Sequence, residues 1–307
     1  MNKTVLILGN EEDEHARHVA EQLAARSVRV GWLDGLQFPS ELRIAYQPGS
    51  CGYIIEALSG EHIDFDEVGS VYWRSFAGHG YSDLPNAEQA EIAVNDSRSL
   101  FESTLIDMPC RWVNGWEGFQ LHQTKPAALA RVKRLDLGPH IRVPETLATN
   151  DPDAVRKFAN RVGPCIFKPV QGGAHTLPLA DAQLTPEHLE VLRHAPVTIQ
   201  QAIRGTDVRV FVAGDRVMAC ELRTDALDFR DDDDPEIVAI ELPDKMTDVC
   251  REICKALSLV WTGMDFRRTE DGTYYYFESN PSPMFLGFES RCGLPLTEAL
   301  LDLLVND

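Results

Sequence analysis

Gly263-Met264-Asp265-Phe266-Arg267-Arg268 leads into Asp271-Gly272, and Tyr274-Tyr275-Tyr276-Phe277-Glu278-Ser279-Asn280-Pro281 follows it. The Asp-Gly dipeptide predicts a hairpin with a two-residue turn, and in that register Asp265 stands opposite Glu278. Directly opposed side chains have Cβ atoms ~5 Å apart, so two carboxylates there repel each other unless something cationic lies between them. Asn280, two residues beyond Glu278, points to the same face and adds an amide oxygen. All three donors are hard oxygens. They suit magnesium, which keeps part of its water shell and commonly carries nucleotide phosphates. A solvated hairpin with an acidic rim would have the same spacing, and this segment alone does not separate the two.

The chain has 307 residues, enough for two or three domains. Its 44% hydrophobic and 25% charged residues are those of an ordinary soluble globular protein. A formal charge of −19 argues against wrapping nucleic acid or docking on anionic lipid, so neither is expected as a partner. Any nucleotide site must then be a local basic pocket in an acidic whole. No apolar run is long enough to span a bilayer, and the apolar start of the chain ends at Glu11, too early for a signal peptide. The expectation is a cytoplasmic protein, with a homodimer left open. Seven cysteines include Cys250 and Cys254, four apart in a predicted helix. No second pair or histidine cluster completes a zinc site, so buried reduced thiols are expected.

Residues 4–8 read as a buried strand, 12–26 as an amphipathic helix and 28–33 as a second strand. This β-α-β opening carries only Gly9 where a dinucleotide fingerprint needs three glycines, which disfavours NAD. Strands over 42–46, 52–57 and 69–74 and a long helix over 88–106 complete a first unit ending near Asn114. Pro126 suits the first turn of a helix. Asp151-Pro152-Asp153 signals another, leading to the strand Cys165-Ile166-Phe167-Lys168-Pro169-Val170 and the loop Gln171-Gly172-Gly173. Strands over 197–202, 207–212 and 216–222 come next. The Asp run at 231–234 reads as a solvated loop. A helix over 244–257 feeds the acidic hairpin, and another closes the chain from Pro295.

Lys168 ends an apolar strand just before a Gly-Gly loop, where backbone N–H groups and an ammonium can converge on phosphate. Alone, such a lysine is more often a surface charge. The order carries more: Lys125 before a helix, Lys168 before the glycine loop, Gln200-Gln201-Ala202-Ile203, Asp207-Val208-Arg209, Arg223, then Asp265 and Glu278-Ser279-Asn280. This succession resembles the ATP-grasp superfamily of carboxylate–amine ligases, in its glutathione-synthetase-like branch with the ligases that add glutamate to a ribosomal protein. The resemblance implies an α/β fold, with a small α/β domain over 1–114, a central ATP-grasp subdomain over 115–198 and a C-terminal one over 199–307. It implies ATP and Mg2+ as cofactors. Lys125, Lys168, Gly172 and Gly173 would then hold phosphates, Gln201, Ala202 and Ile203 the adenine, and Asp207 and Arg209 would lie near ribose and phosphate. Arg223 would face an acyl-phosphate, and Asp265, Glu278 and Asn280 would hold the metal.

Trp32-Leu33-Asp34 with Phe38-Pro39, Val71-Tyr72-Trp73-Arg74, and Thr224-Asp225-Ala226-Leu227-Asp228-Phe229-Arg230 narrow the branch. They are similar to the maturases of microviridin-type peptides, the graspetide synthetases, which join side-chain carboxylates of a ribosomally made peptide to its own hydroxyls or amines. That similarity implies a peptide partner, with Arg74, Arg223, Asp228 and Arg230 at the acceptor carboxylate. The segment Asn280-Pro281-Ser282-Pro283-Met284-Phe285-Leu286-Gly287-Phe288-Glu289 departs from it, its Gly-Phe-Glu ending being closer to the ribosomal-protein glutamate ligases. A ligase for a free amino acid or another small carboxylate is therefore the competing expectation. A nucleotide-binding module without catalysis is a third, opposed by the intact Arg223, Asp265, Glu278 and Asn280. His122 and His175, close in sequence to the two lysines, are candidate general bases.

Overall fold

A computed structural model describes residues 3–49, 52–56, 60–75, 84–172, 176–223 and 236–306. Gly173, His175, Asp228, Arg230 and the Asp run at 231–234 lie outside the described residues.

The apolar run at the N-terminus forms β1 (Thr4–Leu8), buried along its whole length. α1 (Glu14–Ala25) follows, started by Asp13, whose carboxylate accepts from the Ala16 N–H. The unit continues through β2 (Val30–Leu33), β3 (Leu42–Tyr46), β4 (Gly52–Glu56), β5 (His62–Asp64), β6 (Val68–Trp73), α2 (Ala87–Asp107) and β7 (Arg111–Val113). A parallel four-stranded sheet has the order β2-β1-β6-β7, and β3, β4 and β5 form a separate antiparallel sheet.

Two helices, α3 (Trp116–Gln123) and α4 (Lys125–Lys133), occupy the predicted helical region, with Pro126 in the first turn of α4. Then come β8 (Ile141–Arg142), β9 (Thr146–Thr149), α5 (Pro152–Val162), β10 (Cys165–Pro169), β11 (Leu177–Pro178), α6 (Pro186–Leu189) and β12 (Val197–Gln201). The second sheet has the order β11-β10-β12-β9, with Cys165 paired to Gln201. The chain thus leaves this sheet after Gln201, because β12 stays in the ladder to its last residue.

The remaining elements are β13 (Thr206–Ala213), β14 (Arg216–Arg223), β15 (Glu236–Ile240), α7 (Asp244–Ala256), β16 (Trp261–Arg268), β17 (Tyr274–Asn280), α8 (Leu286–Cys292) and α9 (Leu296–Val305). Their six-stranded sheet runs β15-β14-β13-β16-β17-β8, borrowing β8 from the preceding segment. α7 packs Met246, Cys250, Ile253 and Cys254 into the core beneath it. Burial pushes the Cys254 thiol up to about 12 and the Cys250 thiol higher still, as expected of inert core thiols.

A further core joins the first unit to the last sheet. Val5, Ile7 and Tyr72 of the parallel sheet pack with Ala16, Val19 and Leu23 of α1, with α9, and with Phe211, Trp261 and Phe285. No helix among the described residues is long and apolar enough to cross a membrane.

Candidate active site

Antiparallel pairing places Arg209 opposite Asp265 and Asp207 opposite Arg267 between β13 and β16, while Asp265 faces Glu278 between β16 and β17. Five ionisable side chains therefore share one face of the sheet. The predicted pairing of Asp265 with Glu278 is present, but the turn that produces it differs from expectation. Thr269 and Thr273 close a three-residue loop: the Thr269 N–H donates to the Thr273 carbonyl, and the Gly272 N–H to the Thr269 carbonyl, at 2.9 Å each. Gly272 takes φ +82°, as a residue ending such a loop must. A β-bulge then restores the register, since Tyr276 pairs with Phe266 and Glu278 with Asp265, leaving Phe277 extra. The bulge brings Phe277 and Glu278 onto the same cavity, although they are sequence neighbours.

The charges are matched in pairs. Arg267 grips Asp207 with two hydrogen bonds, Nε to Oδ1 at 2.7 Å and Nη2 to Oδ2 at 2.8 Å, and its Nη1 donates to the Ile203 carbonyl at 3.1 Å. Arg209 pairs with Asp265 and lies over the rings of Phe211 and Phe288, 5.5 and 5.9 Å from their centroids. Gly263 permits that packing: a Cβ there would stand 2.6 Å from Arg209 Nη2. Lys125 Nζ donates to Glu278 Oε2 at 2.8 Å. The two opposed carboxylates respond differently. Burial and the neighbouring Glu278 push Asp265 up against the pull of Arg209. Burial also acts to raise Glu278, but Lys125 and Lys168 outweigh it and hold Glu278 below the usual range.

The second sheet covers this face. Lys168 and Pro169 of β10, Gly172 and Thr176 of the loop, and Gln200 to Ile203 line a cavity of about 220 Å³ together with Lys125, Asp207, Arg209, Asp265, Arg267, Phe277 and Glu278. Gly172 has φ +113°, and a Cβ on it would come 3.2 Å from Lys125 Nζ, so the glycine lets the loop approach the lysine. The Gln201 N–H is held by the Glu145 carbonyl at 2.8 Å and the Ala202 N–H by the Pro164 carbonyl at 2.9 Å. Gln200 is buried in the wall; its Nε2 donates to Thr146 Oγ1 at 2.9 Å, while its Oε1 has no partner among the described residues. The sequence reading gave no site role to Gln200 or Arg267, although both fall in the quoted segments. The strand period carried the signal for Arg267, which lies two residues after Asp265 and so on the same face.

Other expected residues lie elsewhere. Arg223, at the end of β14, is not among the residues lining the cavity; Glu221 at 3.5 Å and Glu236 at 3.4 Å engage it. Arg74 is also absent from the lining; its guanidinium donates to Asp13 and Ser282 instead. Asn280 continues the β17 face beyond Glu278, its Oδ1 accepting from the Ser282 N–H at 3.0 Å. His122 Nδ1 sits 3.3 Å from the Ser279 carbonyl oxygen in an adjoining recess, where burial and then Lys125 lower its pKa.

A family model of the RimK-like ATP-grasp domain matches residues 123–304. The chain belongs to this family. The ATP-grasp ligase PsnB, solved in complex with a minimal precursor, is 33% identical over 99% of this chain and 100% of its own, with a TM-score of 0.82. The same ligase has been solved with a phosphomimetic variant of that precursor, Mg and ADP. The macrocyclase MdnC from Microcystis aeruginosa MRC, bound with precursor peptide MdnA, shares the fold at a TM-score of 0.85 and 22% identity, over 99% of this chain and 100% of its own. A probable alpha-L-glutamate ligase from Xanthomonas oryzae pv. oryzae is 29% identical over 185 residues, 56% of this chain. The chain spans between 45% and 62% of the length of the curated relatives it matches.

Proposed function

We propose that this chain is an ATP-dependent ligase that activates Asp or Glu side chains of a ribosomally made peptide and joins them to hydroxyls or amines as esters or amides. One observation carries the chemistry: Lys125, Lys168 and Arg209 converge with the opposed Asp265 and Glu278 on one cavity between two largely antiparallel sheets. Such a cavity suits a polyphosphate with a divalent cation. No Ser, Cys or His is among the described residues lining it, in keeping with direct attack by a substrate carboxylate.

The metal donors fit magnesium on this chain's own evidence. Asp265 and Glu278 are neighbours, and Asp265 is pushed up by burial and by Glu278, the condition that a cation would relieve. Together with the Asn280 amide oxygen they would hold Mg2+, which supplies Lewis-acid neutralisation of phosphate charge. Lys125 and Lys168 would hold the phosphates, and Gly172 would let the loop backbone come close. The adenine would lie against Gln200 to Ile203.

In the reaction, an oxygen of the substrate carboxylate attacks the γ-phosphorus, and the bond to the β-phosphate oxygen breaks to release ADP. A hydroxyl or amine then attacks the acyl carbon, the bond to the phosphate oxygen breaks, and the proton of the attacking group leaves to a base or to water. Arg223 is proposed to act at the acyl-phosphate, and Asp228 and Arg230 at the acceptor carboxylate. For Arg223 this requires release from Glu221 and Glu236. The relatedness to PsnB, whose complexes contain a precursor, supports the peptide partner. A cytoplasmic location completes the reading.

The test is mass spectrometry of Asp/Glu- and Ser/Thr/Lys-containing precursor peptides incubated with the protein, ATP and Mg2+. Loss of one water per bond, matched by ADP release, is expected. Transfer of free glutamate without dehydration would favour the second reading, a glutamate ligase like the Xanthomonas relative.

A further inference from the structure

Two consecutive residues after the acidic strand, Pro281 and Ser282, are gripped from the N-terminal unit. Asn114, fully buried just beyond β7, donates from Nδ2 to the Pro281 and Trp261 carbonyls at 2.6 Å each, and its Oδ1 accepts from the Val260 and Trp261 N–H groups at 2.7 and 3.1 Å. Arg74, at the end of β6, donates from Nη1 to both the carbonyl and the hydroxyl oxygen of Ser282 at 2.9 Å. The Ser282 hydroxyl donates back to the Arg74 carbonyl at 2.5 Å. Arg74 Nε is held by Asp13 at 2.9 Å, and Asp13 is fixed by its cap on α1. With Ser282 fixed, its N–H occupies one acceptor site of the Asn280 amide oxygen. The Asn280 carbonyl is in turn pinned by the Thr262 hydroxyl at 2.8 Å. An amide oxygen has two acceptor sites, so the second remains to be aimed.

We propose that Arg74 and Ser282 are positioning residues for metal binding: they fix the chain after Asn280 so that its amide oxygen faces the same ion as Asp265 and Glu278. This rests on the proposed magnesium site. It assigns Arg74 a role different from holding the substrate carboxylate. The Asp13 carboxylate balances the guanidinium charge, so that the arginine can lie behind a cation site without opposing it. Partners that orient a metal ligand typically change metal affinity about 10- to 100-fold when removed.

The test titrates Mn2+, as a paramagnetic stand-in for Mg2+, into full-length protein saturated with ADP, without peptide or turnover. The parent is compared with Ser282→Ala, Arg74→Lys and Arg74→Ala. Expected are about 10-fold weaker metal binding in Ser282→Ala and Arg74→Ala, a smaller loss in Arg74→Lys, and metal-free ADP affinity within about twofold of the parent. Equal metal affinity in folded Ser282→Ala and parent would overturn the proposal, as would a folded Arg74→Ala that binds Mn2+ as tightly as the parent. If Arg74→Ala does not fold, Ser282→Ala and Arg74→Lys decide. A parent that binds neither ADP nor metal would instead overturn the nucleotide-ligase reading itself.

Discussion

Lys125 Nζ lies 2.8 Å from Glu278 Oε2, so the lysine proposed to hold phosphate and the carboxylate proposed to hold the metal neutralise each other. This contact changes what Glu278→Gln should do. Opposed carboxylates alone would make the substitution stabilising, through relief of repulsion with Asp265. The observed pair opposes that, and Glu278 is held below the usual range by the lysines. The two effects nearly cancel: metal-free stability should fall by no more than ~1 kcal/mol, as for a partly exposed ion pair. Stabilisation by Mg2+ with ADP should disappear. Thermal unfolding with and without ligand checks both, and a variant stabilised by Mg-ADP as strongly as the parent would contradict the metal assignment.

Gly263→Ala should damage the site through Arg209. The added Cβ would meet Arg209 Nη2 at 2.6 Å, and the guanidinium is confined by Asp265 and two rings. A loss of about 1–3 kcal/mol is expected, the usual range for overpacking, together with weaker nucleotide binding. Denaturant unfolding and ADP calorimetry measure the two. Unchanged values in both would show that Arg209 is free to move.

Much of this arrangement was legible because strands alternate. Asp265, Arg267, Glu278 and Asn280 follow from period two once the hairpin is recognised, and Lys168 follows from its place before the glycine loop. The turn was misread, since Asp271-Gly272 favours a two-residue turn locally, whereas Thr269 and Thr273 close the loop and the bulge at Phe277 restores the register. The grip of Arg74 on Ser282 joins residues 208 positions apart, and no local pattern encodes it. The resemblance alone placed Arg74 at a substrate carboxylate, and only the fold brings Ser282 to it.

Acid should weaken the fold near neutrality. Burial, followed by the charge of Arg74, lowers the pKa of His15, which packs on the Phe285 ring at 4.9 Å, and burial with Lys125 does the same for His122. As pH falls through the usual histidine value of about 6.5, the unfolded chain takes up protons that the folded chain refuses, so stability declines until the lowered pKa values are reached. Asp13 adds a second loss at lower pH. Burial acts to raise it, but Arg74 and the Ala16 N–H together hold it below the usual range, so that its contribution is present above the usual carboxylate pKa and fades below it. Urea unfolding at about pH 7.5 and 5.5 should give the lower midpoint at the acid value. A higher midpoint there would contradict the histidine assignments.

Asn114→Ala should be among the costliest substitutions outside the cavity. The side chain is fully buried and satisfies two N–H groups and two carbonyls. Leaving a buried polar group unpaired costs about 1–3 kcal/mol, and partial relaxation should bring the total to roughly 3–5 kcal/mol. Equilibrium unfolding of the variant measures it, and a loss below about 1 kcal/mol would show that water replaces the amide.

The central claim is that a substrate carboxylate is activated as an acyl-phosphate. A precursor peptide carrying heavy-oxygen-labelled Asp and Glu carboxylates, incubated with the protein, ATP and Mg2+, tests it most directly. One labelled oxygen should appear in the released phosphate for each ester or amide formed, because the carboxylate oxygen that attacks phosphorus departs with it. Bond formation with unlabelled phosphate, or label retained entirely in the peptide, would contradict the account.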